Sequence, residues 1–321
     1  MTFEKYPKVE NVKNGKKVKR VMNQHPDLFD GTDKWIAQEK LDGANLQVSF
    51  GLGSHKLITY KRSGEVGPDE KFYRCHEVMS HQQDEIYDMA EYITTIYSCL
   101  MNEIDLCGEL FGQGVQKRIN YGEQQQFIVN DVKVKGEFIS PEILQNHMLE
   151  LGVFDPVSSL YNWPVFTGTF DMLKNTDVEK LISKYSPSKE IAEGVVIKPA
   201  DGRLDKGTGS PVMFKKKTAR FDDEGGKTKS NKFSDVSNDS FMLHQTLKGF
   251  VNENRLLDLF SKHGEIQDEK QIGEYIKLFN EDIQEDFMDE YGEFFKTLSN
   301  KEQKYVLNQS KDIVSLIKQY L

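Results

Sequence analysis

A lysine just ahead of an Asp-Gly pair is the first group in this sequence that could do chemistry. Lys40 stands in the stretch QEKLDGANLQ, at the end of a predicted strand. A protonated lysine is not nucleophilic, but burial or nearby cations lower its pKa and free a lone pair. The amine could then attack a nucleotide α-phosphate and form a covalent phosphoramide. The alternative is a loop lysine before a tight turn, since KxDG arises by chance in roughly one chain in ten of this length.

Two carboxylates also follow patterns that suit a ligand. Glu109 lies in GELFG, where glycines permit close approach of the backbone, so it could bind the hydroxyls of a ribose. Glu193 lies in AEGVVIKP, ahead of an apolar strand, and could hold a divalent metal ion directly or through water. Taken singly, each also fits a charged residue at an ordinary turn or strand start.

Cations on two further strands could bind phosphates. In VMFKKK, the alternation of a strand places Lys215 and Lys217 on one face and Lys216 on the other. Two aligned cations facing a cleft would neutralise a triphosphate. Arg62, after the apolar strand in TYKRSG, suits a two-pronged phosphate contact. A solvated basic edge strand and an exposed arginine are the alternatives.

The elements that must position these groups are mostly strands. Strands are predicted in KWIAQEK, ANLQVSF, KLITYKR, EIDLCGELF, QFIVNDVKV, EGVVIKP and PVMFKKK. Residues 69–101 carry a long helical pattern, and SPEILQNHMLELG is a helix with Ser140 as its cap and Gly152 as its stop. Residues 222–236 are polar and typical of a linker, and the chain after about residue 238 has a helical pattern. The sequence therefore predicts an α+β domain over residues 1–230 and an all-helical domain over residues 231–321.

Composition limits the class of protein. The net charge is −9, and residues 234–321 hold 10 Lys and Arg against 17 Asp and Glu, so most of the acidity lies in the helical part. The three cysteines lack metal-binding spacing and fit free thiols in a reducing cytosol. No run of eighteen apolar residues and no apolar signal-peptide core is present. We therefore expect a cytoplasmic location and no membrane partner.

The order of these motifs resembles that of the covalent nucleotidyltransferase superfamily, which contains polynucleotide ligases and capping enzymes. The flanking stretches WIAQEKLDGANL, KRSG, GELFGQGVQKRINYGE, FIVNDV, AEGVVIKP and FKKKTARF are similar to the phage RNA ligase 2 family, which includes the kinetoplastid RNA-editing ligases. The resemblance covers residues 34–221, and the helical tail also looks like the C-terminal domain of that family. It implies an ATP-grasp-like ligase adenylation domain with mixed antiparallel sheets, followed by an all-helical domain.

The resemblance implies an activity and its partners. Lys40 would attack ATP and become adenylylated, AMP would pass to a 5′-phosphate, and a 3′-hydroxyl would displace it. The cofactors would be ATP and Mg²⁺, with Mn²⁺ as a substitute. The partner would be RNA with 3′-OH and 5′-phosphate ends, in a nicked duplex, and the cytoplasm of a virus-infected cell is one expected location. The sequence indicates no oligomeric state.

Individual roles follow from the same resemblance. Glu193 would support the metal, Glu109 would contact ribose, and Arg62 would lie near the nucleotide and the 5′-phosphate. Lys215 and Lys217 would hold phosphates and activate Lys40. The backbone of Glu39 and the side chain of Asn45 would contact the nucleotide. Gln116, Lys117 and Arg118 would contact the nucleic acid.

Two positions depart from the pattern of that family. Asp42 stands where its phage members usually have His, although Asp is common in other ligases. Asn130 stands where an aromatic residue usually stacks on adenine, which bears on nucleotide affinity and base choice. Three alternatives remain: a DNA-nick ligase, a capping guanylyltransferase that would use GTP and an OB-fold domain, and a non-catalytic nucleic-acid-binding relative.

Overall fold

The chain is divided into two structural units, residues 1–220 and 221–321. The predicted linker over residues 222–236, and the predicted domain boundary within it, lie outside the described residues and stay predictions. No described helix is long and apolar enough to cross a membrane. The structure is a computed structural model and describes residues 3–52, 56–152, 159–221 and 237–320.

All the strands predicted from the sequence are present in the first unit. In the described residues the strands of this unit are β1 (Glu10–Asn11), β2 (Trp35–Lys40), β3 (Ala44–Phe50), β4 (Leu57–Lys61), β5 (Gly64–Glu65), β6 (Ile104–Gly112), β7 (Gln125–Val134), β8 (Glu137–Phe138), β9 (Pro164–Gly168), β10 (Gly194–Pro199) and β11 (Phe214–Lys217).

The helices divide between the units. The first unit holds α1 (Gly15–Gln24), α2 (Cys75–His81), α3 (Gln83–Tyr97), α4 (Pro141–Glu150) and α5 (Phe170–Asn175). The second holds α6 (Asn238–Gly249), α7 (Glu253–His263), α8 (Ile272–Phe295), α9 (Asn300–Val306) and α10 (Ser310–Ile317). Short 3₁₀ turns join several of these elements.

One helix differs from its prediction. The helical pattern over residues 69–101 forms two helices, α2 and α3, rather than one. The helix is interrupted at Gln82. The side-chain amide of Gln82 donates to the backbone carbonyl of Phe127 at 3.0 Å and accepts from the backbone N–H of Phe127 at 2.7 Å. The amide thus pairs with β7 as a neighbouring strand would. The predicted cap of α4 is confirmed, since the Ser140 side chain accepts from the N–H of Ile143.

Two sheets build the first unit. The first sheet has the order β1-β11-β10-β2-β9, and the second has the order β5-β4-β3-β6-β7-β8. Every pair is antiparallel except β1 with β11, which is parallel. The predicted mixture of mainly antiparallel sheets, followed by helices, is therefore confirmed.

The two sheets differ in what covers them. One face of the first sheet packs Trp35, Val195 and Phe214 into a core with residues of α1 and α5. The second sheet shares a larger core with α2, α3 and α4. Each fully buried large apolar side chain contributes about 1.5–3 kcal/mol relative to exposure. These cores leave the other face of the first sheet for polar groups.

The helical unit is organised around its longest helix. Tyr275, Phe279, Ile283 and Phe287 are buried at intervals of four residues along α8, which places them on one face. Beside this core, the buried guanidinium of Arg255 donates to carboxylates of α8 and lies over a ring. Its partners are Asp282 at 2.8 Å, Asp286 at 2.6 Å and the Phe250 ring at 4.9 Å.

Removing this buried cation should destabilise the helical unit alone. We expect Arg255→Met to lower its free energy of unfolding by about 1–3 kcal/mol, because two carboxylates lose their shared donor. Urea unfolding followed by circular dichroism at 222 nm measures this, while fluorescence of Trp35 and Trp163 reports on the first unit. Lys277→Met, in an exposed pair with Glu281, is the control and should have little effect. Equal shifts in the two variants would contradict the prediction.

Candidate active site

β2 and β11 end level with the start of β10, which lies between them in the first sheet. Gly194 pairs with Lys40 on one side and with Lys217 on the other. We call these three residues the lysine row. Because side chains at paired positions share a face, Lys40 and Lys217 project on the same side, opposite the apolar core. The sequence predicted that both lysines serve one site, and the structure brings them together.

Glu193 lies between the two lysines. Its Oε2 is 2.7 Å from Nζ of Lys40, and its Oε1 is 3.1 Å from Nζ of Lys217. The side chains of Glu193 and Lys217 are each 1% exposed, whereas that of Lys40 is 23% exposed. A buried carboxylate needs such partners, since an unpaired buried charge is strongly destabilising. Among these charges, Lys40 is therefore the amine most open to a ligand.

The close approach at this point requires glycine. Gly194 has φ +156°, and a Cβ there would lie 2.0 Å from the carbonyl oxygen of Lys216 and 2.8 Å from Cα of Lys217. No side chain fits this space. Gly194 thus allows β10 to start tightly against β11, directly after Glu193, which holds the carboxylate between the lysines.

The alternation predicted for β11 is present. Lys215 lies opposite Val196, which in turn lies opposite Gln38, so Lys215 shares the face of the lysine row. Lys216 lies on the other face, where its Nζ donates to the carbonyls of Lys174 and Thr176. Lys215 can therefore extend the line of cations beside Lys217.

The second sheet brings further predicted residues together. Asn45 and Glu109 are paired across β3 and β6 and share a face, and Asn45 Nδ2 donates to the Gly108 carbonyl at 3.2 Å. A Cβ on Gly43 would lie 2.5 Å from the carbonyl of Leu110 and 2.7 Å from Cγ of Glu109. The glycine of the KxDG motif thus lets the chain after Lys40 pass close to Glu109.

Asp42 is held from two sides. Its buried carboxylate accepts from Arg118, with Nη2 at 2.5 Å and Nε at 3.2 Å, and its N–H donates to the hydroxyl of Tyr121 at 2.9 Å. Burial, followed by the Asp42 charge, raises the pKa of Tyr121 well above its usual value. The carboxylate of the KxDG motif is therefore paired with an arginine.

The segment that follows β6 borders an open cleft. Gln116 is buried and Lys117 is exposed, and both line a cleft of about 550 Å³ together with Arg118 and Arg220. Their predicted contact with nucleic acid stays a prediction. For Arg118 the structure adds the pairing with Asp42 described above.

The described contact of Arg62 is with the segment that precedes β1. Arg62 is half-buried after β4, and its Nη1 donates to the carbonyl of Tyr6 at 3.3 Å. Its predicted contact with the nucleotide and the 5′-phosphate is not tested by these contacts and stays a prediction.

Glu39 and Asn130 meet at a residue that the sequence patterns missed. Asn162 is buried, and its Nδ2 donates to the carbonyl of Glu39 at 2.9 Å and to Oδ1 of Asn130 at 2.8 Å. The carboxylate of Glu39 accepts from Ser183 and from the N–H of Lys184, while burial raises its pKa. Asn162 therefore fixes the strand residue next to Lys40 and orients the amide of Asn130.

An ion pair that the sequence patterns did not reveal connects the two sheets. Lys198 is buried on β10 and donates to both oxygens of Asp131 at 2.7 Å. The hydroxyl of Tyr6 donates to the same carboxylate. Lys198 falls in the quoted EGVVIKP motif and Asp131 in FIVNDV, so the sequence carried both residues but no sign that they pair.

Two family models match the chain. A family model described as RNA ligase matches residues 33–217, more than half of the chain, so the chain belongs to the RNA ligase family. A second model, described as the T4 RNA ligase 2 C-terminal domain, matches residues 234–315 within the helical unit. Together they confirm the predicted membership of the phage RNA ligase 2 family.

Individual relatives match over shorter spans. The mitochondrial RNA-editing ligase 2 of Trypanosoma brucei brucei is 31% identical over 111 residues, which are 34% of this chain and 25% of that protein. Two solved structures of a Naegleria gruberi RNA ligase, a variant with ATP and Mn and a variant with AMP and Mn, each have TM-score 0.47 and 17% identity. Each covers 69% of this chain, which spans 58% of theirs.

A side chain at position 194 should disrupt the lysine row. We expect Gly194→Ala to destabilise the first unit by about 1–3 kcal/mol, because the Cβ meets rigid backbone. The mutation is also expected to abolish any reaction of Lys40, because Glu193 would move. Tryptophan fluorescence during urea unfolding measures the first effect. Gly67→Ala, with its nearest contact 3.8 Å away, is the matched control. Wild-type stability in Gly194→Ala would show that the close approach is not a constraint.

Proposed function

We propose that the protein is an ATP-dependent RNA ligase that seals 3′-OH and 5′-phosphate ends through a lysyl-AMP intermediate. Family membership supports the class of reaction. The observation that carries the proposal is the position of Lys40, a partly exposed amine held 2.7 Å from a buried carboxylate and level with a second lysine. A nucleophile beside a proton acceptor and a cation is the arrangement that phosphoryl transfer to an amine needs.

The first step joins Lys40 to AMP. The Lys40 amine attacks the α-phosphate of ATP, the N–P bond forms, and the bond to the β-phosphate breaks with release of pyrophosphate. Oε2 of Glu193 is the described acceptor placed to take the Nζ proton. The charge of Lys217, together with that of Lys215, offsets charge on the phosphates.

Two further transfers complete the reaction. A 5′-phosphate oxygen of the RNA attacks the AMP phosphorus, which releases Lys40 and forms a 5′-5′ pyrophosphate linkage. The 3′-hydroxyl then attacks the 5′-phosphate, and AMP leaves as the phosphodiester bond forms. Gln116, Lys117 and Arg118 are the residues we assign to the nucleic acid in these steps. A nicked RNA duplex would hold both ends in place for the last transfer.

The residues present fit a magnesium ion held mainly by substrate. In the described parts of the chain, no group of three or more His, Cys, Asp or Glu residues could hold a metal alone. Mg²⁺ commonly binds one or two carboxylates plus substrate phosphates and water, and Oε1 of Glu193 is buried without a well-aligned hydrogen bond. We assign Glu193 as its protein ligand. When bound, Mg²⁺ or Mn²⁺ would neutralise phosphate charge.

The nucleoside would lie between the sheets. We assign Glu109 and Asn45, paired on one face, to the ribose, and the amide of Asn130 and the backbone of Glu39 to the base. Arg62 is assigned to the phosphates. Without an aromatic ring at position 130, base choice would depend on hydrogen bonds, and that makes the comparison of ATP with GTP informative.

Replacing Lys40 should abolish nucleotide attachment. We expect wild-type protein with Mg²⁺ and α-labelled ATP to carry a covalent label on a denaturing gel, and Lys40→Ala to carry none, because the nucleophile is absent. Lys216→Ala is the matched control. Its lysine lies on the opposite face of β11 and should leave labelling intact. A labelled Lys40→Ala protein would refute the assignment.

The same assay separates the alternatives. Label only from GTP would indicate a guanylyltransferase. Protein that takes no label should be treated with pyrophosphate, since release of ATP would show that it was purified already adenylylated. Absence of both label and release would contradict the proposed function.

The two units should contribute to different steps. We expect residues 1–230 alone to become labelled at close to the full-length rate but to join nicked RNA at least tenfold more slowly. The first unit carries all of the nucleotide motifs, and the helical unit would aid engagement of the ends. Single-turnover joining of a nicked RNA duplex measures the difference. Equal joining rates would rule out this division of labour.

A further inference from the structure

Lys40 stands where a strand ends. It is the last residue of β2, and its partner in the sheet, Gly194, is the first residue of β10. Backbone at the end of a strand opens more readily than backbone at its centre. A reacting group, in contrast, must be held closely, because a misplacement of about 1 Å can slow a reaction about 100-fold. Contacts outside the first sheet are therefore needed to fix the chain around Lys40.

Three buried rings supply such contacts. Phe111 lies between Tyr121 and Tyr185, with ring centroids 5.1 Å and 5.3 Å apart and planes at 79° and 62°. Edge-to-face pairs of this kind favour fixed angles between rings. Each ring is buried, yet none belongs to the apolar cores that the described residues form beneath the two sheets. We call Phe111, Tyr121 and Tyr185 the aromatic clamp.

One arm of the aromatic clamp holds the residues that follow Lys40. The hydroxyl of Tyr121 accepts from the N–H of Asp42 at 2.9 Å. Phe111 lies against the next residue, since a Cβ on Gly43 would be 3.1 Å from Cβ of Phe111. The turn after Lys40 is thus fixed by a hydrogen bond and by close packing.

The other arm holds the residue that precedes Lys40. The hydroxyl of Tyr185 donates to Oδ1 of Asn162 at 3.2 Å, and Nδ2 of Asn162 donates to the carbonyl of Glu39 at 2.9 Å. The carboxylate of Glu39 accepts from Ser183 and from the N–H of Lys184. Residues 183–185 therefore fix the side chain of Glu39 directly and its backbone through Asn162.

The two hydroxyls are not needed for packing. Phenylalanine would fill nearly the same space, and a buried hydroxyl is destabilising unless it is hydrogen-bonded. Burial raises the pKa of both Tyr121 and Tyr185, so both hydroxyls keep their protons near pH 7. Their described hydrogen bonds lead to the two neighbours of one residue, Lys40, from opposite sides.

We propose that Tyr121 and Tyr185 are positioning residues for Lys40. The aromatic clamp fixes the backbone on both sides of the lysine, and Oε2 of Glu193 lies 2.7 Å from its Nζ. The side chain is thereby held at both ends, which places the amine for attack on the α-phosphate. The identity of that reaction rests on the proposed function.

Removing each hydroxyl alone tests this role. Tyr121→Phe and Tyr185→Phe keep the rings, and the control Tyr97→Phe removes a hydroxyl that contacts His147 elsewhere in the first unit. Two rates are measured on the full chain. One is single-turnover labelling by α-labelled ATP at saturating ATP with Mg²⁺. The other is sealing of a nicked RNA duplex whose 5′-phosphate already carries AMP, a step that does not use the Lys40 amine.

We expect labelling to be about 10- to 100-fold slower in Tyr121→Phe and in Tyr185→Phe, because a displaced amine no longer meets the α-phosphate. Sealing of the duplex that already carries AMP should keep most of its rate. The control should match the wild-type protein in both rates. Equal losses of labelling and sealing would indicate general damage to the fold and overturn the proposal, as would labelling at the wild-type rate in both variants.

Hydrogen exchange separates this proposal from the proposed function. Amides of residues 38–43, followed by mass spectrometry, should exchange several-fold faster in Tyr121→Phe and Tyr185→Phe than in Tyr97→Phe, because the segment loses a hydrogen bond on one side. If exchange is faster but no protein takes label, the hold on Lys40 stands and the ligase assignment fails. If the wild-type protein takes label and exchange is unchanged in both variants, the ligase assignment stands and the aromatic clamp fails.

Discussion

The pairing of one buried carboxylate with two lysines constrains most of the first unit. Glu193 would be strongly destabilising without Lys40 and Lys217, because a buried charge needs partners of opposite sign. Those partners come from the ends of β2 and β11, so both strands must end level with the start of β10. The glycine after Glu193 follows from the same constraint, since the strands approach too closely for a side chain. Structure and reactivity thus depend on the same contacts.

The sequence predicted the features that short patterns encode. Strand alternation was enough to place Lys215 and Lys217 on one face, and motif order grouped them with Lys40 and Glu193. Pairings between distant segments could not be predicted, because no local pattern marks Asn162 as the partner of Glu39. The division of the long helix at Gln82 was missed for the same reason, since it depends on a strand 45 residues away.

Charge is distributed unevenly along the chain, and the two units use it differently. The helical unit is acidic, and its buried Arg255 holds two carboxylates against its longest helix. The first unit is close to neutral overall but places Lys40, Lys215 and Lys217 on one face of its first sheet. For a polyanionic substrate, the position of the cations matters more than the total charge, because salt screens distant charges over about 10 Å.

The register of the lysine row also determines which changes in length the protein can accept. Shifting a strand by one residue turns its side chains to the opposite face, so a single insertion within β2, β10 or β11 would send a reactive lysine or its carboxylate partner into the apolar core. Connecting loops are different, since doubling a loop costs only about 0.6 kcal/mol. During divergence, the segments between these strands can therefore lengthen or shorten freely, while the strand ends keep the same count of residues.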